Sequence, residues 1–205
     1  YYNKSLTIRL NTLGENHPRV AASYNNIGCV YRDKGELDKA LEYYKKSLTI
    51  KQNTLGENHP DVAGTYYNIG IVYRGKGELD RALDYHKKSL MIRLNTLGEN
   101  HPDVASSYNN IGGVYHHKGE LDKALEYYNK SLNIRLNTLG DNHPDTARTL
   151  YNMGLLYKSQ MKLSTASEYL NRALVIFCNK LGEGHKKVRE TRKLIQSIEF
   201  HKYFM

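Results

Sequence analysis

The feature that most constrains the fold is a repeat with a period of 42 residues. Five glycines and five histidines recur at this spacing: Gly14, Gly56, Gly98, Gly140 and Gly182, and His17, His59, His101, His143 and His185. The blocks 15–56 and 99–140 differ at only nine of their 42 positions. Self-similarity at a fixed period is typical of repeat proteins, in which each unit packs on its neighbours. We therefore interpret the chain as a tandem array.

Hydrophobic spacing predicts two helices within each repeat. In the segment that follows Pro60, apolar residues recur at helical spacing, and the proline suits the first helical turn. Asp61 suits the same turn because the N-terminal end of the helix dipole is positive. Gly77 predicts the end of this first helix, and Gly98 predicts the end of the second.

The period divides the chain into six predicted segments. They are the second helix of a truncated repeat (1–14), repeat 1 (15–56), repeat 2 (57–98), repeat 3 (99–140), a degenerate repeat 4 (141–182) and a C-terminal capping helix with a tail (183–205). Because the sequence opens in mid-repeat without methionine, we expect it to be a fragment of a longer protein. Repeat 4 departs from the others by having Met161 where they have glycine. The last helix has the polar outer face that a solenoid cap needs.

Residues at fixed positions of each repeat resemble the tetratricopeptide pattern. In repeat 1 these residues are Tyr24, Ile27, Gly28, Tyr31, Gly35, Ala40 and Tyr44. The 42-residue period and the connector LGENHPDVA are similar to the kinesin light chain subgroup of that family. The resemblance implies an all-α fold, a right-handed superhelical solenoid of antiparallel helix pairs with a C-terminal capping helix. It also implies that the chain is a protein–protein interaction scaffold or adaptor.

In this family the first helices of the repeats line a concave groove, and the motif assigns the inward positions. We expect the peptide-binding groove to include Asn25, Asn26, Arg32, Tyr67, Asn68, Ile71, Arg74, Asn109, Asn110, His116, Arg148, Tyr151, Asn152 and Lys158. In the first helices, repeats 1 to 3 differ mainly at inward positions. Such variation favours a groove diversified for recognition, although drift of exposed positions would give the same pattern.

Two rows of side chains suggest what the groove binds. The first row consists of Asn26, Asn68, Asn110 and Asn152, and the second of Arg32, Arg74, His116 and Lys158, with Arg148 beside it. Amides donate and accept hydrogen bonds, so the first row can bind a peptide backbone of any sequence. The second row would attract carboxylates, and the net charge of +9 also favours acidic partners. We therefore expect an extended acidic peptide as the ligand.

Catalytic and metal chemistry is not expected. Zinc needs about four ligands within roughly 2.0–2.3 Å, whereas the recurring histidines lie on successive repeats. The sequence contains no phosphate-binding motif and no nucleophile with a matching base, so we predict neither an enzyme nor a cofactor. No apolar run reaches the length of a membrane span. Two distant cysteines, Cys29 and Cys178, favour a reducing, cytoplasmic location.

Alternatives to the peptide-binding scaffold stay open at this stage. The basic surface permits weak nucleic-acid binding, but a base-per-repeat code needs stacking residues at fixed positions, which makes nucleic acid the less favoured partner. The array could instead be a sensor or self-assembly segment of a larger signalling protein, self-associating through its truncated N-terminal face. The connector histidine has two candidate roles, since it could cap the next helix or pack between repeats.

Overall fold

The computed structural model describes the backbone of residues 2–204 and the side chains of residues 4–201. Within this range the chain consists of α-helices joined by short turns. The helices are α1 (Tyr2–Leu13), α2 (Pro18–Asp33), α3 (Leu37–Leu55), α4 (Pro60–Gly75), α5 (Leu79–Leu97), α6 (Pro102–His117), α7 (Leu121–Leu139), α8 (Pro144–Ser159), α9 (Leu163–Leu181) and α10 (Lys186–Phe204). The predicted all-α class is confirmed.

The chain forms two compact units, Tyr1–Glu99 and Asn100–Met205. In the first unit α2 pairs with α3 and α4 pairs with α5, while α1 packs on α2 and α3 packs on α4. In the second unit α6 pairs with α7 and α8 pairs with α9, while α7 packs on α8 and α10 packs on α9. The helix pair is therefore the repeating step, and we call the pairs repeats 1 to 4, each with a first and a second helix.

The connector histidine caps the first helix of the repeat that follows it. His59 Nδ1 accepts a hydrogen bond from the backbone N–H of Asp61 at 3.1 Å. The same bond is made by His17, His101, His143 and His185. An imidazole nitrogen accepts only when it is unprotonated, so each cap requires a proton-free Nδ1. Of the two roles left open by the sequence, the structure shows capping.

The turn between the two helices of a repeat requires a residue in the left-handed region. Gly35, Gly77 and Gly119 occupy it in repeats 1 to 3, with φ between 77° and 79°. Repeat 4 has Met161 there, with φ of 60° and an exposed side chain. A β-carbon in this conformation costs roughly 1–2 kcal/mol. The sequence departure at Met161 thus corresponds to local backbone strain.

The two helices of a repeat approach each other at a glycine of the first helix. A β-carbon on Gly70 would lie 2.7 Å from the ring of His86, which is fully buried on the second helix. The corresponding pairs are Gly28 with Tyr44, Gly112 with Tyr128 and Gly154 with Leu170, at 2.6–2.8 Å. These separations are below contact distance, so the glycine is needed for space at this crossing.

Tyrosine rings join the same helices at a second point. Tyr43 of α3 stacks on Tyr31 of α2 with ring centroids 5.4 Å apart, and it also contacts Tyr24 at 6.0 Å. Lys46 Nζ lies 5.4 Å from the Tyr43 ring centroid. Equivalent clusters recur in repeats 2 and 3. Aromatic pairs of this geometry contribute about 0.5–1.5 kcal/mol beyond area burial, which accounts for much of the use of 18 tyrosines.

Two glycines of α4 offer a matched test of the close approach. We expect Gly70→Ala to lower the free energy of unfolding by about 1–3 kcal/mol, because the new methyl group overlaps the His86 ring. Gly64→Ala meets nothing within 4 Å and should raise it by about 0.5–1 kcal/mol through helix propensity. Urea unfolding followed by circular dichroism measures both, and equal effects of the two substitutions would contradict the proposed steric role.

Met161→Gly should stabilise the second unit by about 1 kcal/mol, because glycine adopts positive φ without a β-carbon penalty. Met161→Ala serves as the control, since it removes the exposed side chain and keeps the β-carbon. Thermal unfolding compares the two variants. A gain of the same size with alanine would show that the side chain, and not the backbone, is responsible.

Candidate functional site

Predicted groove residues of the first unit meet where α2 contacts α4. Asn68 Nδ2 donates a hydrogen bond to Asn25 Oδ1 at 3.2 Å, so adjacent first helices are joined through their amides. The second unit repeats this arrangement between α6 and α8, with Asn152 Nδ2 donating to Asn109 Oδ1 at 3.1 Å. In each unit, the structure therefore brings predicted site residues of two repeats together.

The four asparagines of the predicted amide row have different surroundings. Asn26 is exposed, whereas Asn68 and Asn152 are half-buried and donate hydrogen bonds to Asn25 and Asn109, respectively. Asn110 is buried, and its Nδ2 donates to the backbone oxygen of Ser106 at 3.3 Å. Each amide has two N–H donors and one oxygen, so a single hydrogen bond leaves further capacity. Two members of the predicted row thus couple adjacent first helices.

The predicted basic row is uneven in charge. Arg32 pairs with Asp33 at 2.9 Å; burial opposes its charge most strongly, but the hydrogen bond to Asp33 together with the charges of Tyr44, Cys29 and Asp33 raises its pKa. Burial lowers the pKa of His116, and the charge of His117 lowers it further, so protonation of His116 is disfavoured. Its Nε2 lies 3.2 Å from Ser159 Oγ. The remaining members of the row are the arginines and Lys158.

Arg148 and Lys158 lie on the same helix of the second unit. Arg148 is exposed and pairs with Asp145 of the first helical turn at 3.1 Å. Lys158 is half-buried in the last turn of α8. The two cations thus stand near opposite ends of α8, with Tyr151 and Asn152 between them along the helix.

In these repeats, a tyrosine occupies the predicted inward position only where the second helix has no tyrosine opposite the glycine. In repeat 1, Tyr44 of α3 crosses Gly28 and its hydroxyl lies 3.3 Å from Cys29 Sγ on the inward side. Burial raises the pKa of Tyr44, and the hydrogen bond to Cys29 adds to the increase. In repeat 2 the shorter His86 takes that position, and Tyr67 contacts it edge-on at 5.7 Å. A shorter side chain on the second helix, opposite the glycine, therefore leaves room for an aromatic ring at the predicted inward position of the first helix.

The other two repeats follow the same rule. Each repeat has two first-helix residues at predicted inward positions and one second-helix residue opposite the glycine. In that order they are Asn25, Cys29 and Tyr44 in repeat 1, Tyr67, Ile71 and His86 in repeat 2, Asn109, Gly113 and Tyr128 in repeat 3, and Tyr151, Leu155 and Leu170 in repeat 4. The inward faces of repeats 2 and 4 are consequently aromatic and aliphatic, and those of repeats 1 and 3 are small and polar. The sequence predicted variation at the inward positions, but not its dependence on the second helix.

Both inward tyrosines have a cation over the ring. In the first unit, Arg93 of α5 lies 4.7 Å from the Tyr67 ring centroid. In the second unit, Lys187 Nζ of α10 lies 3.5 Å from the Tyr151 ring centroid, and burial lowers the pKa of Lys187. Neither cation was predicted as a site residue. Lys187 also shows that α10, predicted as a cap, contacts a predicted groove residue.

A cation of α1, of α3 and of α7 binds the first turn of the helix that follows it. Lys51 Nζ donates to the backbone oxygen of Asp61 at 3.2 Å and to Thr65 Oγ1 at 3.0 Å. Arg9 makes the equivalent bonds to Arg19 and Ser23, and buried Arg135 makes those to Asp145 and Thr149 at 2.6 Å. We call these bonds the cation latch. Sequence reasoning missed it, although a cation and a hydroxyl recur in register.

The described residues contain no group of three or more His, Cys, Asp or Glu side chains that could hold a metal ion. No helix in the described range is long and apolar enough to cross a membrane.

The repeated helix pairs, glycine crossings and histidine caps define a helical repeat protein. The Tetratricopeptide repeat family model matches residues 1–53, 30–95, 61–137 and 103–179, so the chain belongs to the tetratricopeptide repeat family. Repeats of this family generally mediate protein–protein interactions and form non-catalytic scaffolds. No curated protein matches the sequence.

The fold is similar to those of several solved structures. BtubC (BKLC) from P. vanneervenii has a TM-score of 0.71 at 19% identity, over 98% of this chain and 88% of that one. A kinesin light chain candidate from Podosopora anserina with nearly identical TPR-like repeats has a TM-score of 0.68 at 22% identity, over 87% and 84%. A point variant of the same Podosopora anserina protein gives 0.69 at 19%, over 92% and 99%. The predicted kinesin-light-chain-like subgroup is confirmed at the level of the fold.

Arg135 tests the cation latch. We expect Arg135→Ala to lower the free energy of unfolding of the second unit by about 2–4 kcal/mol, since it removes buried hydrogen bonds and leaves a cavity. Arg135→Lys should cost about 1 kcal/mol or less, because Lys51 makes the same two bonds at this register. Urea unfolding compares them, and equal losses would refute the latch.

Proposed function

We propose that this chain is an interaction scaffold or adaptor in the cytoplasm, and that the inward sides of its first helices bind an extended acidic peptide. The observation that carries the proposal is the composition of the inward sides of α4 and α8. Each helix presents an amide, a tyrosine and a cation there, namely Asn68, Tyr67 and Arg74 on α4, and Asn152, Tyr151 and Lys158 on α8. The predicted inward positions of both helices carry no acid.

Each group has a distinct part in the proposed binding. Arg74 and Lys158 are half-buried, so a carboxylate bonded to them is less screened by water than at an exposed cation. Asn68 and Asn152 keep an N–H donor and an acceptor after joining their neighbours, and these suit a peptide backbone. The net charge of +9 raises the encounter rate with an acidic segment.

Contacts of the inward tyrosines favour a peptide over single-stranded nucleic acid. Base stacking needs an open aromatic face, and sequence-tolerant binding of single strands depends on such faces. Arg93 lies over Tyr67, and Lys187 lies over Tyr151. A stacking base would have to displace a cation from each ring. A carboxylate needs no open aromatic face.

Charge reversal tests the proposed groove. We expect Arg74→Glu and Lys158→Glu each to weaken binding of a fluorescein-labelled peptide of alternating Glu and Ser by about tenfold or more, because each places an acid against the ligand. Lys45→Glu makes the same charge change at an exposed second-helix position and should change affinity by less than about twofold. Fluorescence anisotropy measures all three at fixed salt.

Two outcomes would contradict the proposal. Equal weakening by all three substitutions would show a general charge effect without a groove. Binding of a labelled oligo-dT with the same affinity and the same steep salt dependence would show a polyanion surface without peptide preference. Sedimentation of the same samples also tests the predicted self-association through the N-terminal face.

A further inference from the structure

His86 differs from Tyr44 and Leu170, its counterparts in repeats 1 and 4, because it has buried polar atoms without a hydrogen-bond partner. Its side chain is fully buried, and neither ring nitrogen has a partner in the described part of the chain. Tyr44 at the same register reaches Cys29 with its hydroxyl, and Leu170 has no polar atom in its side chain. Buried polar groups are normally hydrogen-bonded, so an imidazole kept in this position needs an explanation.

The surroundings of His86 oppose a positive charge. The ring packs on the backbone of Gly70 and against the edge of Tyr67. The charged groups that act on it are Arg74 of α4 and Arg93 of α5, and both are cations. Burial has the largest effect and the two arginines add to it, so that the pKa of His86 falls to about 3. The ring is therefore held uncharged between the two helices of repeat 2.

We propose that His86 makes the inward side of repeat 2 acid-sensitive. When the imidazole gains a proton it leaves its position behind Gly70, and the packing that fixes Tyr67 and Arg93 is lost. The loosening of α4 from α5 follows from the contacts of His86 alone. Release of a bound acidic peptide would follow from the loosening, and only that consequence rests on the proposed function.

The direction of the pH dependence follows from proton linkage. The pKa of His86 is lower in the closed repeat than the ordinary value of about 6.5, so the opened state binds the proton more tightly. The contribution of uncharged His86 to the stability of the closed repeat is therefore complete above about pH 6.5, and it is lost as the pH falls toward 3. From the two pKa values, the opening equilibrium should rise about a hundredfold between neutral pH and pH 4.5.

Repeat 4 supplies the matched substitution. Leu170 lies opposite Gly154, and the predicted inward positions of the same repeat hold Tyr151 and Leu155, which correspond to Tyr67 and Ile71 of repeat 2. His86→Leu therefore introduces a residue that this chain already combines with an inward tyrosine and an aliphatic neighbour. Tyrosine suits the position less, because its hydroxyl would point toward Ile71, where repeat 1 has the smaller Cys29.

Hydrogen exchange of the full chain, measured by mass spectrometry at pH 7.5 and 4.5, tests the proposal. After correction for the intrinsic exchange rate, we expect α4 and α5 of the wild type to open about a hundredfold more at pH 4.5, and His86→Leu to lose this increase. Peptides from α8 and α9 serve as the internal control. The other eight histidines are unchanged, so the difference between the proteins isolates His86. An equal increase in both proteins would overturn the proposal.

A second measurement covers the case in which the variant does not fold. The His86 ring signals of the wild type are followed by NMR from pH 7.5 to 4. Titration of a still-packed ring near pH 6.5 would overturn the proposal, whereas loss of the packed signals together with those of Tyr67 would support it. Binding of the Glu–Ser peptide at pH 5.5 should be weaker for the wild type than for His86→Leu. If no peptide binds at any pH, the proposed function fails while the exchange result stands.

Discussion

The crossing of two helices at a single glycine is the constraint on which each repeat depends. Without a β-carbon, the first helix lets a large side chain of the second helix rest directly on its backbone. The glycine cannot vary, because any β-carbon would lie within 3 Å of that side chain. The opposing residue can vary, and tyrosine, histidine and leucine all occupy its position. The rigid and the adjustable parts of the repeat thus meet at one contact.

The second-helix residue at this contact determines which side chains fit at the predicted inward positions of the first helix. A long tyrosine on the second helix reaches past the glycine and permits only small or polar inward neighbours, as at Cys29. A shorter side chain leaves space for Tyr67 or Tyr151. Independent drift of exposed positions would not change three positions on two helices together. The coordinated change supports the interpretation that the inward side is diversified for recognition, and it places buried residues among those that define it.

Several of the cationic side chains make contacts that stabilise the fold. Lys51 and Arg135 fasten one helix to the next, and Lys46 lies on tyrosine rings of its own repeat. Burial lowers the pKa of His116 and so disfavours its charged form. The number of cations in the sequence therefore overstates the charge that faces a ligand. It is the half-buried cations of α4 and α8 that carry the proposed recognition.

The sequence by itself determined the features that depend on neighbouring residues. Helical spacing, the proline and acid of the first turn, and the glycine at each turn act over a few residues, so the pattern predicted the helices and even the departure at Met161. The family motif placed the inward positions. Only the tertiary structure decided which of those positions are coupled, as Asn68 is to Asn25 across 43 residues. It also decided that His86 is left without a hydrogen-bond partner and that Lys187 covers Tyr151. These contacts depend on side-chain length and on the distance between packed helices, which a linear pattern does not contain.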